Sequence, residues 1–384
     1  MDLVVGLTDW CSTVGPVNQD APSSKKRSAE PRPIGRVSHV WSVGRLARWK
    51  RRAVTMPGVF LATVVVVTLS PLLALMALLV DLKEGWKNKR WLRILGFLLL
   101  FLILETSTLV VMFFAWIITG FGLFMEAGWS QRMHFFIEKH WILGLQNSVL
   151  KPMGGKLHID GEDLLTPGPI IVIGRHVSMG DAALPGMILA NRNNLQIRYI
   201  AKEDLVWVPV LDIVGHRLPH WFVNRKPDDR VAELESISNL AAGLGTDGAG
   251  VIFPEGTFRT NKRFDRVLEK LRTSDPSRAA AVSQLQHLLP ARPSGTLAML
   301  EGNLDADVVF MTHVGFERFI SFAEIIKTVP FDRPIEIKVW RHKRADVPTD
   351  PTEQLAWLDH HWQVSDDWIH ETMAGPHRST ASAD

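Results

Sequence analysis

Two stretches of this chain are nearly free of charge: none falls between Val59 and Val80, and Glu105 alone falls between Ile94 and Met125. A helix needs ~20 apolar residues to cross ~30 Å of hydrocarbon, and each stretch is long enough. A secretory signal would be shorter, would end in a small-residue cleavage site and would not be followed by a second such segment. The expectation is an N-terminal two-helix membrane hairpin. Pro71 interrupts the first segment and Glu105 sits inside the second, where a carboxyl should face another helix or a polar cavity. Either two crossings or two half-immersed segments leave the tail and the rest of the chain on one side.

Charge flanking the hairpin gives no direction. Arg45, Arg48, Lys50, Arg51 and Arg52 precede the first segment, while Lys83, Lys87, Lys89, Arg90 and Arg93 follow it. Trp41, Trp49, Trp86, Trp91 and Trp129 lie near the segment ends, where indole favours the headgroup layer. The single cysteine, Cys11, lies in a polar tail and fits a reducing compartment, which places the domain on the cytoplasmic face of the cell membrane. A net charge of +3 does not describe a nucleic-acid-binding surface, so membrane lipids are the expected partner and nucleic acid is not.

Residues 1–52 read as a disordered basic tail, 53–125 as the hairpin, 126–345 as a globular domain and 346–384 as a C-terminal helix and tail. In the domain, strands are expected at Lys156–Asp160, Ile170–Ile173, Gln196–Ala201, Gly250–Phe253, Asp307–Thr312 and Ile335–Trp340, with an extended piece at Trp221–Asn224. Helices are expected at Gln131–Leu150, Pro185–Ala190, Asp228–Ala242, Lys262–Arg272, Arg278–Leu289 and Thr352–Met373. Alternation of the two predicts an α/β fold, a mostly parallel mixed sheet flanked by helices.

GRHVSMGD at 174–181 follows the Ile170–Ile173 run. On a helix His176 and Asp181 would point about 140° apart, so they can meet only on a turn. Gly180 permits the bend, and Pro185 suits the first turn of the next helix. A loop leaving the C-terminal end of a strand is where open α/β sheets form ligand crevices. A carboxylate there can hold an imidazole in one tautomer and stabilise it once protonated. FPEGTFRT at 253–260 and FVNRK at 222–226 also follow extended pieces and offer Glu255, Arg259 and Arg225; an arginine fork suits a phosphate.

Together, in this order, the blocks resemble the glycerolipid acyltransferase family, which includes lysophosphatidic acid acyltransferases. His176 and Asp181 match the family's His-x4-Asp; Phe222, Val223 and Arg225 match its second block; Phe253, Pro254, Glu255, Gly256 and Thr257 match its third in full. The resemblance covers roughly Leu150 to Trp368, including AKEDLVWVPVLDIVG up to Gly215 and HLLPARPSGTLAMLEG. Departures are Arg175, where Asn often precedes the His, Phe258-Arg259, which reverses the usual order, and the absence of an evident Val-Pro block near Val308–Thr312.

The resemblance implies a membrane-bound O-acyltransferase that passes a fatty acyl group from an acyl-CoA or acyl carrier protein thioester to the hydroxyl of a lysophospholipid, 1-acyl-sn-glycerol-3-phosphate first. His176 would be the general base oriented by Asp181. Arg225 would hold the acceptor phosphate, with Lys202 and Arg259 as further cations, and Glu255, Gly256 and Thr257 would shape the acceptor pocket. No metal and no cofactor beyond the thioester co-substrate are implied. Other lysophospholipids (lysophosphatidylinositol, lysophosphatidylglycerol or a lysocardiolipin type) or a non-catalytic lipid-binding scaffold are the alternatives. Ser178 near His176 raises a serine hydrolase as a rival, but no Gly-x-Ser-x-Gly elbow is present. GLGTDG at 243–248 lies between a helix and a strand, the reverse of a dinucleotide fingerprint, and reads as a turn. His134, His140, His216, His220 and His360-His361 lack zinc spacing, and the basic run from Lys262 to Arg272 reads as a solvated helix face.

Overall fold

A computed structural model of the chain describes residues 45–178, 180–223 and 230–375. Cys11, Trp41, Asn224 and Arg225 lie outside the described residues. Helices α1 (Arg45–Glu84) and α2 (Arg90–Ile118) pack side by side as a hairpin. The first helix begins at Arg45, so the last part of the expected tail is helical instead. Pro71 does not interrupt it: the carbonyl of Val67, which Pro71 cannot bond, accepts the Ser70 hydroxyl at 2.7 Å. The second helix stops at Ile118, and the apolar residues beyond it leave in turns, with Gly120, Phe121 and Gly122 at φ 63, 57 and 95°. Asp81, at the end of α1, closes the hairpin by accepting the N–H groups of Trp91 (2.9 Å) and Leu92 (3.0 Å), two of the orphan donors of α2.

Both helices are long and apolar enough to cross a membrane, and none of the most apolar window of α1 is buried against protein. The hairpin nevertheless touches the domain at both ends. Near its open end, Arg51 and Arg52 grip the buried Asp212 at 2.7 and 2.8 Å, and Arg217 donates to the carbonyl of Met112 at 2.7 Å. Near its connecting turn, Arg90 donates to Val329 (3.3 Å) and Arg93 to Pro152 (2.6 Å). Burial pushes the Asp212 carboxyl up, but His216, Arg52 and Arg51 outweigh it and hold the group well below the usual carboxylate range. Glu105 does face a neighbouring helix, α3 (Gly128–Leu145), and accepts the Trp141 indole N–H at 2.9 Å.

The domain is built on a sheet of seven strands among the described residues: β1 (Leu157–Asp160), β2 (Ile170–Gly174), β3 (Gln196–Lys202), β4 (Trp221–Val223), β5 (Gly248–Ile252), β6 (Asp307–Val314) and β7 (Ile335–His342). Their order is β1-β7-β6-β2-β5-β3-β4, and of the pairs only β6–β7 is antiparallel, which gives the expected mostly parallel mixed sheet. The central strand β2 is buried throughout, as its unbroken run of Ile and Val requires when both faces are covered. Ile170 and Val172 pack with α2, α3 and α4 (Pro209–Arg217) on one face. Ile171 and Ile173 pack with α5 (Arg230–Ala242), and with later helices, on the other.

Helices α6 (Asn261–Ser274) and α7 (Pro276–Val282) follow β5. The expected helix over 278–289 therefore stops early. Its second half is pulled into a loop because buried Asp366 accepts the N–H groups of Gln286, His287 and Leu288 at 2.7, 2.8 and 2.7 Å, replacing helical acceptors. Helix α8 (Pro293–Gly302), unmarked by helical periodicity, crosses the same face, and β6 runs on past Thr312 to Val314. After α9 (Phe322–Thr328), α10 (Pro351–Ala374) returns to the core and buries Leu358, Trp362 and Ile369.

Candidate active site

The adjacent strands β6, β2, β5 and β3 run parallel to one another, so their C-terminal ends share one edge of the sheet. At that edge lie His313, Arg175-His176, the 253–258 turn and Lys202. Gly174 is where the chain leaves β2, and a Cβ there would sit 3.0 Å from the Phe253 ring, so a larger residue would require the ring to shift.

Asp181 organises the loop. One oxygen takes the Nδ1 of His176 at 2.7 Å, and the other accepts the backbone N–H groups of Val177 and Ser178. A carboxylate only accepts, so Nδ1 carries the proton, and in the neutral ring Nε2 is left with the lone pair. Nε2 has no hydrogen-bond partner among the described residues, and about a tenth of the side chain remains open (10%). The imidazole is flanked by aromatic rings, Phe253 at 5.0 Å and Phe258 at 4.6 Å between centroids. The arrangement can take a proton at Nε2 in a largely apolar setting and share the resulting charge with Asp181.

Glu255 is buried beneath this loop. Its oxygens accept the N–H of His176 at 2.8 Å and of Leu289 at 3.1 Å, so it ties the His176 loop to the loop before α8. Burial pushes its carboxyl up to about 7, against the two N–H donors that favour the ionised form. Gly256 has φ 64°, the left-handed geometry that favours glycine, and Thr257 is half-buried beside it.

The cations are less convergent than the sequence implied. Lys202 lies with its ammonium 5.0 Å from the centre of the Phe258 ring. Arg259 turns to the carbonyl of Leu288 (3.3 Å), to Asn261 (3.0 Å) and over the Phe264 ring (4.9 Å), and Arg225 lies outside the described residues. The reversed Phe258-Arg259 order thus puts an aromatic ring beside His176 and sends the arginine elsewhere.

Two more residues line the site: His313, which sequence reasoning missed, and Arg175, which it noted only as a departure from the family pattern. His313 is buried with Nε2 3.6 Å from the second oxygen of Asp181; burial, with Arg175 adding to it, lowers its imidazole to about 4 against the opposing pull of Asp181. Arg175 is buried too, bound to the carbonyl of His313 and to Glu317 at 2.6 Å. Only the extension of β6 by two residues would have brought His313 to this edge.

Ser178 has a fully buried hydroxyl with no hydrogen-bond partner in the described residues, so it is not paired with His176 as a hydrolase nucleophile would be. GLGTDG is the turn between α5 and β5. His134 and His216 bond the carbonyls of Ser130 (2.8 Å) and Asp212 (2.5 Å), which are structural contacts.

Residues 156–312 match the family model described as Acyltransferase. The His-x4-Asp and Phe-Pro-Glu-Gly-Thr blocks both lie within the matched segment. Among solved structures the chain is similar to the crystal structure of the 1-acyl-sn-glycerophosphate (LPA) acyltransferase PlsC from Thermotoga maritima, with 12% identity and a TM-score of 0.41, over 70% of this chain and 98% of that one. No curated protein sequence matches the chain.

Proposed function

We propose that this acyltransferase transfers a fatty acyl group from an acyl thioester, acyl-CoA or acyl carrier protein, to the free hydroxyl of a lysophospholipid, with 1-acyl-sn-glycerol-3-phosphate as acceptor and phosphatidic acid as product. The observation that carries this reading is the 2.7 Å bond from His176 Nδ1 to Asp181, with Nε2 meeting no partner among the described residues, inside the segment that matches the Acyltransferase family model.

In the proposed reaction Nε2 of His176 takes the acceptor's hydroxyl proton as its oxygen attacks the thioester carbonyl. The tetrahedral intermediate collapses, the carbon–sulfur bond breaks, and the departing sulfur takes the proton from His176. The products are an ester and a free thiol, and no covalent acyl-enzyme is needed. Asp181 stabilises the imidazolium while it exists. Phe253 and Phe258 keep water from the thioester. Lys202, Arg259 and Arg225 remain the sequence-derived candidates for the acceptor phosphate, and the Lys202 ammonium lies 5.0 Å from the centre of the Phe258 ring that flanks His176.

The hairpin suits a lipid substrate. Its outer apolar surface needs a non-aqueous phase, while contacts to the domain at both ends favour a hairpin lying within one leaflet over one that crosses. We place the domain on the cytoplasmic face, so that acceptor and product need not leave the bilayer completely. Acyl transfer by full-length protein across a panel of lysophospholipids, with lysophosphatidic acid among them, tests the acceptor; a preference for a different headgroup would replace lysophosphatidic acid in this reading.

A further inference from the structure

The 253–258 turn wraps His176: Glu255 binds its N–H, and Phe253 and Phe258 flank its ring. On the middle of that turn rests a cation from another part of the chain. A Cβ built on Gly256 would lie 3.2 Å from Nη1 of Arg292, 3.3 Å from its Cζ and 3.4 Å from its Cδ, so the guanidinium is packed against the peptide at Gly256.

The Arg292 backbone is held firmly. Its N–H donates to the carbonyl of Pro254 at 2.9 Å, and the preceding carbonyl, of Ala291, accepts Arg278 at 2.7 Å. Its side chain is exposed and, among the described residues, forms no ion pair or hydrogen bond. The arginines that brace this fold are spent differently. Arg278 grips Asp359 at 2.6 and 3.0 Å, and Arg341 binds Asp307, Leu164 and Pro167. Arg230 comes to the same place, donating to Ser294 at 3.2 Å, two residues beyond Arg292.

A guanidinium whose backbone is fixed and whose donors meet no partner among the described residues is placed to take an anion, and a planar fork matches the oxygens of a phosphate. Resting on the proposed function above, we infer that Arg292 is a phosphate-binding residue of this site, holding the phosphate of a reaction partner over Gly256.

Both phosphate sources, the acceptor headgroup and the coenzyme A moiety of the donor, can be tested without turnover. Binding of 1-acyl-glycerol-3-phosphate, of the matched monoacylglycerol and of coenzyme A would be measured on the full chain in detergent carrying His176→Ala, with and without Arg292→Ala or Arg292→Lys. Loss of charge-assisted bonds should weaken one phosphate ligand by about tenfold or more, leave monoacylglycerol unchanged, and be partly restored by lysine. A loss for 1-acyl-glycerol-3-phosphate assigns the site to the acceptor, and a loss for coenzyme A assigns it to the donor; either supports the inference. Unchanged affinity for both, or an equal loss for monoacylglycerol, overturns it. The function it rests on fails separately, if the parent chain transfers no acyl group to any acceptor.

Discussion

Glu255 and His313 lie on opposite sides of the His176 loop and pull stability in opposite directions with pH. Burial raises the Glu255 carboxyl from 4.5 to about 7 in the folded chain. The folded state then holds a proton that the unfolded state has lost, so this contribution is complete below pH 4.5 and is lost as pH rises through 7. Burial lowers His313 from 6.5 to about 4, so its contribution is present above 6.5 and is lost as pH falls through 4. Between those limits the two offset each other. Thermal unfolding of Glu255→Gln should accordingly show a Tm that climbs more steeply from acid to neutral pH than in the parent, and His313→Gln should show the reverse; parallel slopes in all three would contradict this pairing. At Asp181, asparagine can accept from Val177 and Ser178 but would offer an N–H to His176 Nδ1, imposing the wrong tautomer. Asp181→Asn should lower kcat by about 10²–10⁴-fold with little change in Tm, as steady-state transfer and thermal unfolding would show. The His176–Asp181 pair was legible because both partners stand in one short loop with a glycine between them. Phe258 against His176, His313 against Asp181 and Arg292 against Gly256 were not, since each depends on which strands and loops are neighbours.

At the scale of elements, the strands were readable because β2, β5 and β6 are short apolar runs ended by polar loops, and the structure moves their limits by only a residue or two. The segment from Ser283 to Arg292 was not. Its composition favours a helix, yet Asp366 of α10, far away in sequence, captures three successive N–H groups and Glu255 captures the N–H of Leu289. Two carboxylates therefore link the C-terminal helix to His176 through one loop. Asp366→Ala leaves the Leu288 N–H buried without an acceptor, at about 1–3 kcal/mol, releases the part-buried N–H groups of Gln286 and His287, and should lower both Tm and kcat although Asp366 touches no reacting atom. Unfolding curves and transfer rates on the same preparation would check this, and an unchanged Tm would mean that the loop is held by other contacts.

For the whole molecule, the two uncharged stretches announced a hairpin but not its posture, which depends on tertiary contacts that no periodicity encodes. Arg51 and Arg52 at one end and Arg90 and Arg93 at the other all reach the domain, so the connecting turn should stay on the domain's side of the bilayer. In sealed vesicles, with Cys11→Ser removing the native thiol, Asn88→Cys should react with a membrane-impermeant maleimide from the same side as Lys270→Cys on α6. Reaction from opposite sides would establish a crossing hairpin. In the proposed function the sheet edge, the hairpin and the apolar walls around His176 serve one step, acyl transfer to a membrane-resident hydroxyl. The most direct measurement is transfer of labelled acyl groups from acyl-CoA and acyl carrier protein to lysophosphatidic acid, in membranes holding the parent chain or its His176→Ala form. Labelled phosphatidic acid is expected from the parent with at least one donor, with a loss of about 10²-fold or more without His176. Equal product from both forms, or none from the parent with either donor and any lysophospholipid, would contradict it.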